Sequence, residues 1–192
     1  MSRPLGTPLD RRPRCAWATG DVVASHDLIA YHDDEWGGVL HGDAAMFERL
    51  SLEAFQSGLS WLTILRKRPA FRAAFAGFDL AAVGAFGIED VERLLADPGI
   101  VRNRAKIEAT VSNARLALAL PGGLSKLLWS FAPASQQRTA PAGVPTQSRE
   151  SVAMASDLKR RGFRFVGPTT AYALMQATGM VDDHLAGCWR AR

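Results

Sequence analysis

The stretch SVAMASDLKRRGFRFVGPTTAYALMQATG, residues 151–179, decides which fold this sequence predicts. Its first part has the pattern of a helix that Gly162 closes in the left-handed conformation. Its last part has the pattern of a second helix, with Pro168 in the first turn. The connection between them, GFRFVG, is short and tight. We therefore predict a helical hairpin with glycine at the bend.

A bend of this kind can hold DNA. The first turn of a helix has backbone N–H groups without helical partners, and the helix dipole favours an anion there, so a DNA phosphate can bind without any base being read. A glycine turn alone would serve any two packed helices. The DNA interpretation is favoured by four cations around the bend, Lys159, Arg160, Arg161 and Arg164. We expect DNA contacts from Arg164, Gly167, Thr169 and Thr170.

The rest of the chain has helical periodicity and almost no strand pattern, which predicts an all-α fold. Asp43, Ser60 and Asp79 are placed as caps of successive helices. Pro69 predicts that the helical register restarts at that residue. The longest helix is expected within VRNRAKIEATVSNARLALAL, residues 101–120.

The composition indicates a globular protein that can bind nucleic acid. At 192 residues and 47% hydrophobic content, the chain can bury a full core as one domain or two small lobes. No apolar run approaches the roughly 20 residues that cross a bilayer, and the start lacks a signal-peptide pattern, so we expect a cytoplasmic protein without a membrane partner. Only four of the 23 basic residues are lysines, and the net charge is +4. An arginine-rich balance suits phosphate but is weak support by itself.

Two cysteines, Cys15 and Cys188, lie near opposite ends of the chain, which excludes a disulfide framework. His184 and Cys188 are spaced to share one face of a helical turn, and the segment between Cys15 and His32 is long enough to fold back. These four residues have the ligand number and softness of a closed tetrahedral zinc site. Isolated cysteines are more often small buried hydrophobic residues, and the spacing alone leaves both interpretations open.

The stretch SLEAFQSGLSW, residues 51–61, places a carboxylate within an apolar helix. A glutamate such as Glu53 is rarely buried unless something pairs with it or uses it. Tyr31, Trp36 and Trp61 are close to it in sequence, and aromatics at such spacing are usually core residues. The alternative is a cage whose rings stack on a planar, electron-poor ligand while the carboxylate balances its positive charge.

Seven segments carry a family resemblance. They are CAW (15–17), IAYHDDEWG (29–37), SLEAFQSGLSWLTILRKR (51–68), GIVRNRAKIEATVSNA (99–114), SFA (130–132), GFRFVGPTTAYALMQATG (162–179) and MVDDHLAGC (180–188). In the same order and at closely similar intervals, these segments resemble the bacterial DNA-3-methyladenine glycosylase type I family. The resemblance covers about residues 15 to 188.

The resemblance implies an all-α, helix-hairpin-helix DNA glycosylase fold of two helical lobes, with a structural zinc joining the chain ends. It implies a flexible extension at residues 1–14, a single domain at 15–188 with its hairpin at about 151–179, and a tail at 189–192. The family's zinc ligands fall on Cys15, His32, His184 and Cys188. Its base-recognition glutamate falls on Glu53, which we expect to be catalytic, and its stacking aromatics fall on Tyr31, Trp36 and Trp61.

The implied function is hydrolytic removal of 3-methyladenine from alkylated double-stranded DNA, which releases the free base and leaves an abasic site. Methylation at N3 gives the base a positive charge, which weakens the glycosidic bond and suits a cavity with a carboxylate. No lysine is placed as a Schiff-base nucleophile, so we expect a monofunctional enzyme without strand cleavage. The sequence has no heptad pattern, and we expect a monomer.

Two other functions stay open at the level of sequence. One is a non-catalytic helix-hairpin-helix DNA-binding protein, although a phosphate binder needs neither a buried carboxylate nor pocket aromatics. The other is a glycosylase of the same superfamily that removes oxidised or mismatched bases. Its iron–sulfur members need four clustered cysteines, which this sequence lacks, and a neutral base would gain nothing from a cation-favouring pocket.

The chain departs from the family pattern at two places. Leu28 stands where an aromatic hydroxyl is usual, and Ala54-Phe55 stands where a glycine-glutamine pair is usual. Asp182 and Asp183 follow the hairpin, where other helix-hairpin-helix glycosylases keep a catalytic aspartate. The resemblance favours a capping role for these two residues in the C-terminal ligand segment, with catalysis as the alternative.

Overall fold

A computed structural model of the protein describes residues 11–19, 26–134 and 144–191. Within these residues the regular elements are all helical, which confirms the predicted all-α class. Each of those helices is too short or too polar to span a membrane. The helices are α1 (Ala16–Thr19), α2 (His26–Asp34), α3 (Asp43–Gln56), α4 (Trp61–Ala74), α5 (Leu80–Gly84), α6 (Ile88–Ala96), α7 (Arg104–Leu118), α8 (Gly123–Trp129), α9 (Arg149–Arg160) and α10 (Pro168–Ala177), with a short 3-10 turn at Ala76–Phe78 before α5.

The predicted hairpin is confirmed as α9, a bend and α10. Ser148 caps α9 by accepting from the Ser151 amide at 3.2 Å, and its own amide donates back to Ser151 Oγ at 2.9 Å. Gly162 has the left-handed conformation after α9, with φ of 95°. Pro168 is the first residue of α10. The Asn113 side chain on α7 holds the bend because it bonds both the backbone N–H and the carbonyl of Arg164, at 2.9 and 3.0 Å.

Helix α3 runs through the middle of the core. Every residue from Met46 to Phe55 on this helix is buried, so its polar side chains are buried as well as its apolar ones. Phe55 packs on Phe71 of α4 with ring centroids 4.7 Å apart. Lys106 of α7 closes the C-terminal end of α3 by donating to the carbonyls of Phe55 and Ser57 at 3.0 and 2.9 Å. The contacts from α4 and α7 therefore fix the part of α3 that carries Glu53.

A partly buried ion-pair network ties α3 to α2 and α4. Arg68 of α4 donates to Glu48 of α3 at 2.6 Å and to Glu35, just after α2, at 2.8 Å. Arg49 of α3 also pairs with Glu35, and Arg72 pairs with Glu48. Burial alone would raise the pKa of Glu48, but the hydrogen bonds from Arg72 and Arg68 outweigh it and lower that pKa. The network holds the three helices that carry Tyr31, Glu53 and Trp61 in one arrangement.

Two of the predicted helix boundaries are wrong. Gly42, with φ of 94°, precedes α3, while Asp43 is its first residue and accepts instead from the Ser125 amide of α8 at 2.8 Å. A long-range hydrogen bond of this kind replaces the expected local cap. Helix α4 also continues through Pro69, because proline removes only one helical bond and the buried side chains around it stay in register. The caps at Ser60 and Asp79 are confirmed, at 3.2 and 2.8 Å.

Ordered contacts begin before Cys15. Residues 1–10 of the expected flexible extension lie outside the described residues. The Arg14 side chain donates to Asp33 at 2.6 Å, and the Pro13 carbonyl accepts from the Trp189 amide at 2.9 Å. The two ends of the described chain therefore touch each other directly.

Candidate active site and metal centre

A cavity of about 250 Å³ opens where α1, α2, α3, α4 and α10 meet. Ligand cavities are commonly about 300 Å³ or larger, so this one suits a small planar molecule such as a single base. It includes every residue that the sequence assigns to base binding. Its walls are formed by Trp17, Tyr31, Trp36, Glu53, Gln56, Trp61, Val144, Ala173 and Gln176.

Glu53 supplies the one carboxyl group among the described wall residues of this cavity. Its side chain makes no hydrogen bond or ion pair with any residue in the described part of the chain, although only 6% of the residue is exposed. Burial raises the pKa of Glu53 to about 8, and Arg49, one helical turn earlier on α3, only partly opposes that rise. An unpaired carboxyl group is costly to hold in such a place, which marks it as a functional group.

Aromatic rings surround the carboxyl group. Tyr31 and Trp61 have ring centroids 5.3 Å apart and planes inclined at 51°. Trp36 packs edge-on against Trp17 at 5.0 Å. Arg49 lies over the Tyr31 ring, 5.5 Å from its centroid. The indole nitrogen of Trp61 is buried and bonds to no described residue, so it is a free donor beside the cavity.

Trp17 is a wall residue that the sequence reasoning missed. The family motif CAW, residues 15–17, predicts a role only for its cysteine. Trp17 is 39% exposed, so part of its ring is open to solvent at the cavity mouth. The sequence does contain a signal for this position. If Cys15 and His32 bind the same metal ion, Trp17, two residues after Cys15, must lie near Tyr31, the residue before His32.

Three of the four expected metal ligands form a tight cluster. The ligand atoms of Cys15, His32 and Cys188 all lie within 4.8 Å of one another, and all three residues are buried. Cys188 Sγ is 3.3 Å from His32 Nε2. The Cys15 sulfur accepts from the Leu185 amide at 3.4 Å, a contact that suits a thiolate.

His184 stands beside that cluster. Its ring centroid is 5.2 Å from that of His32, and its Nε2 is buried without a hydrogen-bond partner in the described residues. In both histidines Nδ1 bonds a carboxylate, Asp33 at 2.8 Å and Asp182 at 2.7 Å, which leaves Nε2 for a metal ion. The donor set therefore fits a tetrahedral ion with two sulfur and two nitrogen ligands.

Gly37 allows His184 to approach. A Cβ at this position would lie 2.6 Å from His184 Cε1, and the backbone has φ of 73°. Trp36, the residue before it, packs edge-on against the His184 ring at 4.6 Å and also forms part of the cavity wall. The cavity and the ligand cluster therefore share a wall.

The bend residues lie at the other end of α10. Arg164, Gly167 and Thr169 are exposed, and Thr170 is partly exposed. A groove of about 810 Å³ runs beside them between α9 and the bend. Since a helix rises about 1.5 Å per residue, Thr169 and the wall residue Gln176 are about 10 Å apart along the axis. One helix thus connects the expected DNA contacts to the cavity.

Comparison of the chain with known protein families distinguishes a 3-methyladenine glycosylase from other glycosylases and from a non-catalytic DNA-binding protein. The model of the methyladenine glycosylase family matches residues 18–191. The chain belongs to the methyladenine glycosylase family.

Several characterised relatives match nearly the whole chain. DNA-3-methyladenine glycosylase 1 of Escherichia coli (strain K12) is 44% identical over 181 residues, which is 91% of this chain and 95% of that protein. The DNA-3-methyladenine glycosylase of Haemophilus influenzae is 39% identical and matches 96% of its own length. A crystal structure of 3-methyladenine DNA glycosylase I superimposes with a TM-score of 0.87 at 44% identity, covering 94% of this chain and 100% of that one.

One solved relative contains a bound base. One 3-methyladenine DNA glycosylase I variant was solved in complex with 3-methyladenine, and it matches with a TM-score of 0.82 at 35% identity over 92% of this chain. The enzyme from Staphylococcus aureus, solved to explain 3-methyladenine recognition, matches with a TM-score of 0.83 at 35% identity.

The departures from the family pattern lie away from the cavity wall of this methyladenine glycosylase. Phe55 is fully buried against Phe71, and Ala54 is buried beside it on α3. Leu28 is partly buried on α2 and is not among the wall residues. The core therefore accommodates Ala54 and Phe55, and Leu28 is accommodated on α2.

The buried Glu53 predicts a pH-dependent cost to folding. Its pKa rises from 4.5 in the unfolded chain to about 8 in the fold, so the folded protein holds a proton that the unfolded chain has released. The penalty is absent below pH 4.5, where both states are protonated, and stability is lost as pH rises through about 8. Relative to Glu53→Gln, the free energy of unfolding should fall between pH 5 and 8 by on the order of 1 kcal/mol per pH unit. Urea unfolding of both proteins at several pH values measures this, and parallel curves would contradict it.

Proposed function

We propose that this chain is a DNA repair glycosylase that hydrolyses the bond between 3-methyladenine and deoxyribose in alkylated double-stranded DNA. The products are the free base and an abasic site. The observation that carries this proposal is the unpaired carboxyl group of Glu53 in a base-sized, aromatic-walled cavity. Family membership and the relatives' names support the same reaction.

The cavity would bind the base after it leaves the duplex. Flipping the nucleotide costs a few kcal/mol, which is less where the lesion has weakened pairing. Tyr31, Trp36 and Trp61 would stack on the ring, and Trp17 would close the mouth. Glu53 would face the positive charge that methylation places on the base. Since the charge exists only on the damaged base, an intact adenine gains less from the same contacts.

The cavity needs to supply little acid catalysis, because a cationic purine is already a good leaving group. Departure of the base leaves a sugar with oxocarbenium character, and water captures it. A carboxylate at Glu53 stabilises that developing charge as well as the bound base. Among the described wall residues there is no lysine to form a Schiff base, so the enzyme is proposed to be monofunctional.

The hairpin would hold the DNA backbone. Arg164, Gly167, Thr169 and Thr170 are the proposed contacts, the first by charge and the others through the open start of α10. The Asn113 clamp on the Arg164 backbone keeps the bend rigid whichever side chain is present at that position.

Replacing Arg164 with alanine should weaken duplex binding about equally for all sequences. Loss of one phosphate contact should reduce the slope of log affinity against log salt by about 1. Fluorescence anisotropy at several salt concentrations measures the slope. Arg149→Ala is the matched control, since that exposed arginine begins α9 at the end away from the bend. Equal slopes for the two variants would contradict a DNA contact at Arg164.

The cluster of three ligands, together with His184 beside it, would hold a structural zinc ion. Cys15, His32, His184 and Cys188 are the proposed ligands, and together they fill the tetrahedral set. Bound zinc would crosslink the start of the domain to its C-terminal segment and contribute to folding. We also propose that residues 15–188 form a single domain and that the protein is a cytoplasmic monomer. Light scattering on a sizing column tests the monomer.

Base release from methylated duplex DNA tests the proposed function. The products should be 3-methyladenine, identified by chromatography, and alkali-labile abasic sites in equal amount. A non-catalytic DNA-binding protein would bind the duplex and release no base, which would overturn the proposal. A borohydride-trapped adduct between protein and DNA would contradict the monofunctional mechanism.

A further inference from the structure

Asp183 is buried at the end of α10 and holds two side chains of that helix. Only 4% of the residue is exposed. Its Oδ2 accepts from the Tyr172 hydroxyl at 2.7 Å and from Gln176 Nε2 at 2.8 Å. A carboxylate whose Oδ2 already accepts from two structural donors is poorly placed to activate water, so the geometry favours a supporting role for Asp183.

The Gln176 amide is oriented by this bond. A carboxylate oxygen can only accept hydrogen bonds, so the amide must present its NH₂ group to Asp183 and its Oε1 elsewhere. Gln176 lies in the cavity wall, and Oε1 bonds to no described residue. The Gln176 backbone is fixed as well, because its carbonyl accepts from the Gly37 amide at 3.1 Å. A residue of the cavity wall therefore carries a second oriented acceptor, Gln176 Oε1, besides Glu53.

We propose that Gln176 Oε1 is a specificity-determining acceptor that selects purines with an exocyclic amine at C6, and that Asp183 is its positioning residue. This inference rests on the proposed function and deepens it. An adenine derivative has two amine hydrogens at C6, whereas a guanine derivative has a carbonyl oxygen there. An acceptor that faces an acceptor gains no bond and leaves both groups unpaired.

Release of two lesions from the same methylated DNA tests the inference. The parent protein should release 3-methyladenine faster than 3-methylguanine. Gln176→Met keeps the length and apolar volume of the side chain but removes the acceptor. We expect it to lower kcat/KM for 3-methyladenine about 10- to 100-fold and to change 3-methylguanine much less, so the ratio of the two rates falls.

Asp183→Asn provides the second variant. An asparagine can donate to Gln176 Oε1, which would turn the amide around and place NH₂ in the cavity. The lesion ratio should then shift toward 3-methylguanine while the zinc content stays that of the parent. Tyr172→Phe is the control, since it removes a donor from Asp183 but leaves the Gln176 contact, and its ratio should match the parent.

The outcomes separate the inference from the proposed function. If the parent releases neither base, the proposed function fails and the inference fails with it. If the parent releases 3-methyladenine but both Gln176→Met and Asp183→Asn keep the parent's lesion ratio, the inference alone is overturned, because a merely structural pair would lower both rates together. A fallen ratio in either folded variant supports it.

Discussion

Replacing Glu53 with glutamine is expected to reduce release of 3-methyladenine about 100-fold or more. The substitution preserves the shape of the side chain and the stacking walls, but it removes a carboxyl group that the cationic base would hold in its ionised form and that would oppose the positive charge of the base. A neutral amide also places a donor where the carboxylate offered only acceptors. Single-turnover base release, measured with enzyme in excess over lesions, reports the chemical step without the contribution of product release.

The matched control is Glu89→Gln. Glu89 is an exposed glutamate in the first turn of α6, outside the cavity wall, so the same chemical change there should leave base release unchanged. The Glu53→Gln protein should also be at least as stable as the parent near pH 8, because it no longer buries an ionisable carboxyl group. If Glu53→Gln lowered base release by less than about threefold, a catalytic role for Glu53 would be contradicted.

The purified protein should contain about one zinc ion per chain, and losing it should cost about 3 kcal/mol or more of the free energy of unfolding. The proposed ligands join Cys15 to a segment that begins at His184, so a bound ion would crosslink distant parts of the sequence. Cys188→Ser should lose most of the bound metal and unfold at a lower denaturant concentration. Elemental analysis and urea unfolding measure the two effects.

His26→Ala is the control for this prediction. That histidine is the exposed first residue of α2, away from the ligand cluster, and its replacement should leave zinc content and stability unchanged. A structural zinc ion would be contradicted if Cys188→Ser contained as much zinc as the parent. It would also be contradicted if a strong chelator left the stability of the parent protein unchanged.

Features set by neighbouring residues could be predicted from the sequence. The hairpin follows from Gly162 and Pro168, whose backbone preferences act within a few residues. Ser60 and Asp79 cap their helices through bonds to residues three positions later. The family motifs then brought together Glu53 and its aromatic neighbours, which lie on or next to three different helices, α2, α3 and α4.

Features set by tertiary contacts could not be predicted. Asp43 bonds the start of α8 at Ser125 and not its own helix, a choice that depends on where α8 packs. The pairing of Arg49 with Glu35 and the orientation of the Gln176 amide depend in the same way on helices meeting in space. Local patterns carry no information about which of several polar partners such a side chain will find.

The central claim is that an unpaired carboxyl group among aromatic rings selects a cationic purine over a neutral one. Base release from a methylated duplex and from a duplex containing hypoxanthine, a neutral purine of nearly the same size as adenine, tests it most directly. At equal lesion concentrations we expect 3-methyladenine to leave at least about 100-fold faster than hypoxanthine. Comparable rates, or faster release of hypoxanthine, would contradict it.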